Sequence, residues 1–304
     1  MNHTPTFATL LADEIRTSVL FNLAQDLGVP SNKLFADGVG CISLHTLLAR
    51  DVTASLIEPE KDITANLITK EDCVFVGKEW VEQTFKAVSQ DVAIDWHVKD
   101  GDKCTSGDLI ATFSGNARAI LIAERTAMNF AQTLSATATT VAYFVNLMGE
   151  SKTRLLDTRK TLPGMRYGQK YAVTLGGGVN HRVGLYDRFL IKENHIMACG
   201  SIAAAVDKAK SLNQDILVEV EVESLDELTQ AINAGVDIVM LDNFDIAQIE
   251  AAVALNNGAV KLEVSGNVDE TTLAQLAQTN VDFISSGAIT KHVKAVDLSL
   301  RVQL

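Results

Sequence analysis

The sequence predicts an α/β protein: a first half of sheet and helix, then a second half built on a parallel sheet, open or closed. Three observations lead there. Beyond about residue 150, short apolar strands alternate with amphipathic helices, which is the pattern of a parallel sheet. Between Asp51 and Ser114 the runs shorten and turn to Val, Ile, Thr and Phe, broken by Gly and charged pairs. Finally, 304 residues that are 47% hydrophobic with only four Pro suffice for one large or two ordinary well-cored domains.

The elements follow in order. Leu10, Leu11, Ile15, Val19, Leu20 and Leu23 recur close to a 3.6-residue period, predicting an amphipathic helix within the first thirty or so residues. Residues 65–69 and 73–76 read as strands, and 78–87 as a helix. Residues 98–103 and 107–111 have the two-hairpin rhythm of biotin or lipoate carriers, but no lysine follows at a tight turn, so they are read as plain sheet. Residues 119–148 predict one long helix or two joined ones; Glu124, Arg125, Asn129 and Gln132 make it a buried helix rather than a membrane span. Strands are then expected at 154–157, 189–192, 216–221, 238–242, 260–264 and 283–286. Helices at 202–212, 225–234, 246–255 and 271–278 separate them. The tail, 296–302, alternates like a strand and is expected to rejoin the first domain.

A formal net charge of -12 argues against duplex DNA or an anionic membrane as partner, since either rewards a broad basic surface. Cys41, Cys73, Cys104 and Cys199 have no metal-like spacing, and no leader segment opens the chain; both point to a reducing cytoplasm. One stretch reverses the charge. Residues 152–195 hold nine Lys or Arg against three Asp or Glu, with His181 and His195 besides. A local basic cluster in an acidic protein predicts a pocket for a small, strongly anionic molecule.

The polar residues fall where such a pocket would form. Asp157 with Arg159 and Lys160, Lys192, Glu221, Asp242, Ser265 with Gly266, and Ser286 with Gly287 all sit at or just past a strand's C-terminal end. In a closed barrel those ends make one rim, where barrel enzymes place their chemistry. Arg159, Lys160, His181, Arg182 and Lys192 would give an anion both forked and point-charge partners. Any one of them alone would be a surface charge. Glu221 and Asp242 could bind sugar hydroxyls, hold Mg2+ or form an acid and base pair, against the plainer reading that they neutralise lysines. Glu219 points to the same face as Glu221. Ser265-Gly266 and Ser286-Gly287-Ala288 are candidate phosphate turns, though small residues are also ordinary turn formers. Gly176-Gly177-Gly178 lacks the following Gly-Lys-Ser/Thr of a nucleotide loop and is read as flexible backbone beside His181. His45, His97 and His292 are read as ordinary histidines.

These motifs together resemble the quinolinate phosphoribosyltransferase family. The resemblance rests on residues 157–161 with Pro163, Gly164 and Arg166, then Gly176 to Gly178 with Asn180, His181 and Arg182, then Lys192 with Asn194 and His195. Glu124 to Thr126 with Asn129, Glu219 to Glu221, Leu241 to Asn243 and the two Ser-Gly turns extend it. The resemblance implies an N-terminal α/β sandwich and an atypical, incomplete α/β barrel. We place the sandwich at 1–128, rejoined by 291–304, and the catalytic barrel at 129–290. It further implies a homodimer with shared active sites, in which Arg125 reaches in from the partner. Arg159, His181, Arg182 and Lys192 would bind the two quinolinate carboxylates, and Lys160 would lie near the pyrophosphate of phosphoribosyl pyrophosphate. Glu221 and Asp242 would hold the ribose hydroxyls and Mg2+, and Ser265, Gly266, Ser286 and Gly287 the 5-phosphate. The expected reaction yields nicotinate mononucleotide, pyrophosphate and CO2 for de novo NAD synthesis. Its rivals are a non-decarboxylating pyridine phosphoribosyltransferase, a non-catalytic anion binder, and a barrel glycosidase using Glu221 and Asp242. Glycosidase clefts usually offer aromatic platforms, and no Trp follows Trp96.

Overall fold

The structure is a computed structural model that describes residues 5–29, 50–266 and 268–303. Cys41 and His45 lie outside the described residues. The chain forms two compact units: 1–139 with 162–176 and 293–304, and 140–161 with 177–292.

The first unit is built on a four-stranded antiparallel sheet. Its strands are β1 (Asp62–Thr69), β3 (Ala93–Trp96), β5 (Leu109–Asn116) and β12 (Leu298–Val302), in the order β12-β1-β5-β3. A two-stranded ladder joins β2 (Cys73–Val74) to β4 (Lys103–Cys104). The tail strand does pair with β1, Leu67 opposite Leu300. Alternation along β1 buries Ala65, Leu67 and Thr69 on one face. Against such residues Val81 and Phe85 of α2 (Lys78–Val88) form a core with Phe113 of β5, whose ring stacks on Phe85 at 4.5 Å. Asp100 starts α2 by accepting the Gly77 and Lys78 N–H groups. Helix α1 (Phe7–Asp26) contacts α2, and its Glu14 accepts the N–H groups of Tyr167 and Gly168 at the start of α4 (Arg166–Leu175).

Residues 119–148, left open as one helix or two, form a single helix, α3 (Ala117–Leu147), whose residues beyond Thr139 fall in the second unit. The boundary expected at 128/129 therefore lies inside a continuous helix. Among the described residues no helix is long and apolar enough to cross a membrane.

The second unit is an incomplete α/β barrel of six parallel strands. They are β6 (Arg154–Leu156), β7 (Phe189–Ile191), β8 (Val218–Val222), β9 (Ile238–Asp242), β10 (Lys261–Ser265) and β11 (Phe283–Ser285), in the order β6-β11-β10-β9-β8-β7. Helices α5 (Glu193–Cys199), α6 (Ile202–Leu212), α7 (Leu225–Asn233), α8 (Ile246–Asn256), α9 (Glu270–Leu276) and α10 (Ala288–Lys291) follow the strands. Their starts are written in the sequence: Ser201, Ser224, Asp245 and Asp269 each accept an N–H of the first turn. The fully buried Val220, Val239, Leu241 and Ile284 turn outward from the strands toward those helices, leaving the other face of each strand for the interior.

Candidate active site

Register decides which side chains share the interior of the barrel unit. Glu221 of β8 lies opposite Met240 of β9, and Met240 opposite Glu263 of β10; one step on, Asp242 lies opposite Ser265. Side chains two apart on a strand share a face, so Glu219, Glu221, Asp242, Glu263 and Ser265 all project to one side. Leu190 lies opposite Glu219, which puts Arg188 and Lys192 on that side as well.

At the rim, Lys192 donates to Glu221 in a close ion pair. The plainer reading of Glu221 is thus partly realised, since it does neutralise a lysine, and that lysine belongs to the predicted site. Asp242 accepts the side-chain amide of Asn243 at 2.7 Å. Asn243 has φ 57° and donates its N–H to the Ser265 carbonyl at 3.1 Å, tying the ends of β9 and β10 together. Gly266 follows with φ 92°, and a Cβ there would lie 2.3 Å from Asn243 Oδ1. At the end of β11, Ser286 donates its N–H to Leu156 on β6, and its hydroxyl accepts the Ala288 N–H at 3.3 Å. A Cβ on Gly287 would lie 2.8 Å from Lys160 Cδ, and Thr290 Oγ1 donates to the Lys160 carbonyl at 2.8 Å. The structure therefore brings Lys160 against the second Ser-Gly turn. The Lys160 side chain itself is exposed.

Arg159 and Arg182 are both half-buried. Burial, and next the positive charge of Arg159, hold the Arg182 guanidinium below its usual range, with Glu219 and Asp187 offsetting part of the effect. The two guanidiniums thus stand close enough for the charge of one to act on the other at the half-buried rim.

His181 turns inward. Its side chain is only 5% exposed; the ring Nδ1 accepts the Arg182 N–H at 2.7 Å, and its own N–H is held by buried Asp157 at 2.8 Å. Nε2 stands 3.0 Å from Glu219 Oε2 and 3.4 Å from Glu263 Oε2. Arg188 reaches Glu219 Oε2 at 3.1 Å. Burial raises the Glu219 carboxyl, but His181 and Arg188 outweigh it and hold it below the ordinary range. Glu263 goes the other way: burial and then the neighbouring Glu219 push it well above the ordinary range, and Ser285 and Arg188 offset only part of that.

Other predicted residues fall elsewhere. Arg125 is on α3 in the first unit, 60% exposed and 3.9 Å from Glu124. Residues 162–176, with Arg166 and the fully buried Lys170, also belong to the first unit, so the basic stretch is divided between the units. His195 accepts the Lys192 N–H at 3.1 Å and closes the first turn of α5. Sequence reasoning missed Arg188 and Glu263. Their signal was the period of two: Arg188 precedes Lys192 by four residues and Glu263 precedes Ser265 by two.

The fold is that of an α/β-barrel unit with basic and acidic side chains and two Ser-Gly turns gathered at the C-terminal ends of its strands. Family comparison is more specific. Residues 51–135 match the quinolinate phosphoribosyl transferase N-terminal domain, and residues 137–301 match the C-terminal domain. A probable carboxylating nicotinate-nucleotide pyrophosphorylase of Bacillus subtilis is 38% identical over 84% of this chain and 88% of its own. The solved nicotinate-nucleotide pyrophosphorylase of Francisella tularensis is 46% identical with a TM-score of 0.87, covering 99% of this chain and 98% of the other. NadC of Streptococcus pyogenes is 34% identical with a TM-score of 0.85, covering 99% of both. A human nicotinic acid phosphoribosyltransferase, at 15% identity and TM-score 0.58, shares the fold. The chain belongs to the quinolinate phosphoribosyltransferase family.

Proposed function

We propose that the rim of the barrel unit seats quinolinate on Arg159, Arg182 and Lys192, with His181 supporting the grip from behind, and phosphoribosyl pyrophosphate beside it. The chain catalyses the quinolinate phosphoribosyl transfer step of de novo NAD synthesis, with decarboxylation. The gathering of Arg159 beside Arg182, with Lys192 at the neighbouring strand end, carries the substrate assignment. A dianion relieves their repulsion, whereas a monoanion such as nicotinate relieves less of it.

The quinolinate ring nitrogen attacks C1 of the ribose as pyrophosphate leaves, and positive charge develops on the sugar. Glu221 and Asp242, on one face of adjacent strands, supply negative charge there. Lys160, beside the Ser286-Gly287 turn, meets the departing pyrophosphate, while Ser265, Gly266, Ser286 and Gly287 take the 5-phosphate. Once the ring nitrogen is cationic, the adjacent carboxylate leaves as CO2; the electron pair stays on the ring carbon, stabilised by the cationic nitrogen, and that carbon then takes up a proton from solvent.

Glu221 and Asp242 fit Mg2+. Both offer hard oxygen donors, and Mg2+ binds through one or two carboxylates plus substrate phosphates and water. When bound it would offset the pyrophosphate charge. We place the enzyme in the cytoplasm as a homodimer; the exposure of Arg125, whose contact with Glu124 is loose at 3.9 Å, supports its service to a partner's site.

A coupled assay tests the reading. With quinolinate, phosphoribosyl pyrophosphate and Mg2+, pyrophosphate and CO2 appear in equal amounts, and nicotinate supports little turnover. Preference for nicotinate, or pyrophosphate without CO2, would reject it.

A further inference from the structure

The ends of β6 and β11 lie side by side, Leu156 opposite Ser285, so the residues that follow them meet, although Lys160 and Thr290 are 130 positions apart. What gathers there is a lysine held at three points. Thr158 Oγ1 accepts the Lys160 N–H at 3.0 Å, and Thr290 Oγ1 donates to the Lys160 carbonyl at 2.8 Å. The aliphatic stem rests on Gly287, where a Cβ would come within 2.8 Å of Lys160 Cδ, 3.4 Å of Lys160 Cβ and 3.4 Å of Thr158 Oγ1. Thr290 is fully buried in α10, whereas the side chain of the lysine it holds is exposed.

Stability gives little reason for such a bracket. An exposed ammonium adds almost nothing to the fold, and holding a long side chain in one place costs rotamer entropy. With the backbone set on both sides and the stem lodged on Gly287, much of that entropy is already lost before a substrate arrives, and only the outer torsions stay free. A lysine prepared in this way meets developing negative charge with less reorganisation than one that swings in solvent. Gly287 has φ -76°, a value open to any residue, so its backbone does not demand glycine; the space a side chain would take is already held by the Lys160 stem.

We propose that Thr290, with Thr158 on the other side, is a positioning residue for Lys160: the two threonines and Gly287 hold the lysine at the second Ser-Gly turn so that its ammonium faces the departing pyrophosphate. Thr290 itself touches no substrate. The inference rests on Lys160 meeting that pyrophosphate, as proposed above. Pyrophosphate gains charge as its bond to the sugar breaks, so a misplaced lysine costs more in the transition state than in the ground state. Turnover therefore carries the effect, and quinolinate, seated on other side chains, is spared.

The test is a double-mutant cycle in the full-length enzyme, built from Thr290→Val, Lys160→Ala and the two combined, with Thr290→Ser alongside. Pyrophosphate release is followed with quinolinate, phosphoribosyl pyrophosphate and Mg2+ under single-turnover conditions, so that slow variants stay measurable. Valine keeps the shape of threonine and removes the hydroxyl. Thr290→Val lowers the saturated rate by about fivefold or more, the scale of one hydrogen bond, while half-saturation by quinolinate stays within about twofold of wild type. Thr290→Ser, which restores the hydroxyl, recovers at least about half of the wild-type rate, and Thr290→Val changes the Lys160→Ala rate by less than about twofold. A wild-type rate in Thr290→Val, no recovery with serine, a loss that multiplies in full on Lys160→Ala, or an equal shift in quinolinate half-saturation overturns the positioning role. Should Thr290→Val fail to fold, Thr158→Val, which removes the acceptor of the Lys160 N–H, takes its place in the same cycle with the same outcomes. If Lys160→Ala itself keeps the wild-type rate, the assignment of Lys160 fails instead, a result distinct from any at Thr290.

Discussion

Replacing Arg159 by Ala separates binding from stability in a way that few substitutions can. In the free protein Arg159 raises the energy of its neighbour Arg182, so removing it relieves a repulsion inside a partly dry site. In the complex it would present a fork to a carboxylate, and each charge-assisted hydrogen bond contributes about 1.5 to 3 kcal/mol. Losing two would cost about 3 to 6 kcal/mol. Solvent at the half-buried rim and compensation by Arg182 favour the lower end, which is about two orders of magnitude in affinity. The assay is steady-state pyrophosphate release against quinolinate at saturating phosphoribosyl pyrophosphate, with thermal melting of the free protein. The expected outcome is a quinolinate KM raised about a hundredfold at an unchanged or higher melting temperature. An unchanged KM, or a melting temperature several degrees lower with both substrates equally affected, would refute the argument.

Three further outcomes follow from the same geometry. Gly266→Ala combines φ 92° with a Cβ 2.3 Å from Asn243 Oδ1 and should destabilise the protein by about 1 to 3 kcal/mol in urea unfolding, with a raised KM for phosphoribosyl pyrophosphate. Glu263→Gln should melt higher than wild type at pH 7 to 8. The unfolded Glu263 ionises near 4.5 while the native group does so only well above it, so wild-type stability falls as pH rises between those values; the gap between the proteins closes as pH drops toward about 4.5. Among the described cysteines, exposed Cys199 should alkylate first in the native protein. Burial pushes the Cys104 thiol up to about 11 and raises that of Cys73, so peptide mass spectrometry should find both modified only after denaturation.

Much of this was legible from residue order. The strand at 238–242 and the helix at 202–212 have the predicted bounds, because an uninterrupted apolar run and a capped amphipathic period each have one good solution. Strand ends were legible too, and with them Glu221, Asp242 and the two Ser-Gly turns, since a parallel sheet turns end position into neighbourhood. Other features were not. That residues 162–176 leave the second unit for the first follows from contacts distant in sequence, such as Glu14 at the start of α4. His181 counted as one more cation on the line of the chain; only the fold shows its ring turned toward Glu219 and Glu263, with Arg182 held by its other nitrogen. Glu263 passed unnoticed because a lone acid inside an apolar strand looks like an edge residue until its neighbours are known.

The measurement closest to the central claim is a crystal structure of the protein soaked with quinolinate alone. The account predicts its two carboxylates on Arg159, Arg182 and Lys192 at the open end of the parallel strands. Density for the diacid anywhere else, with those three side chains turned away from it, would contradict the account.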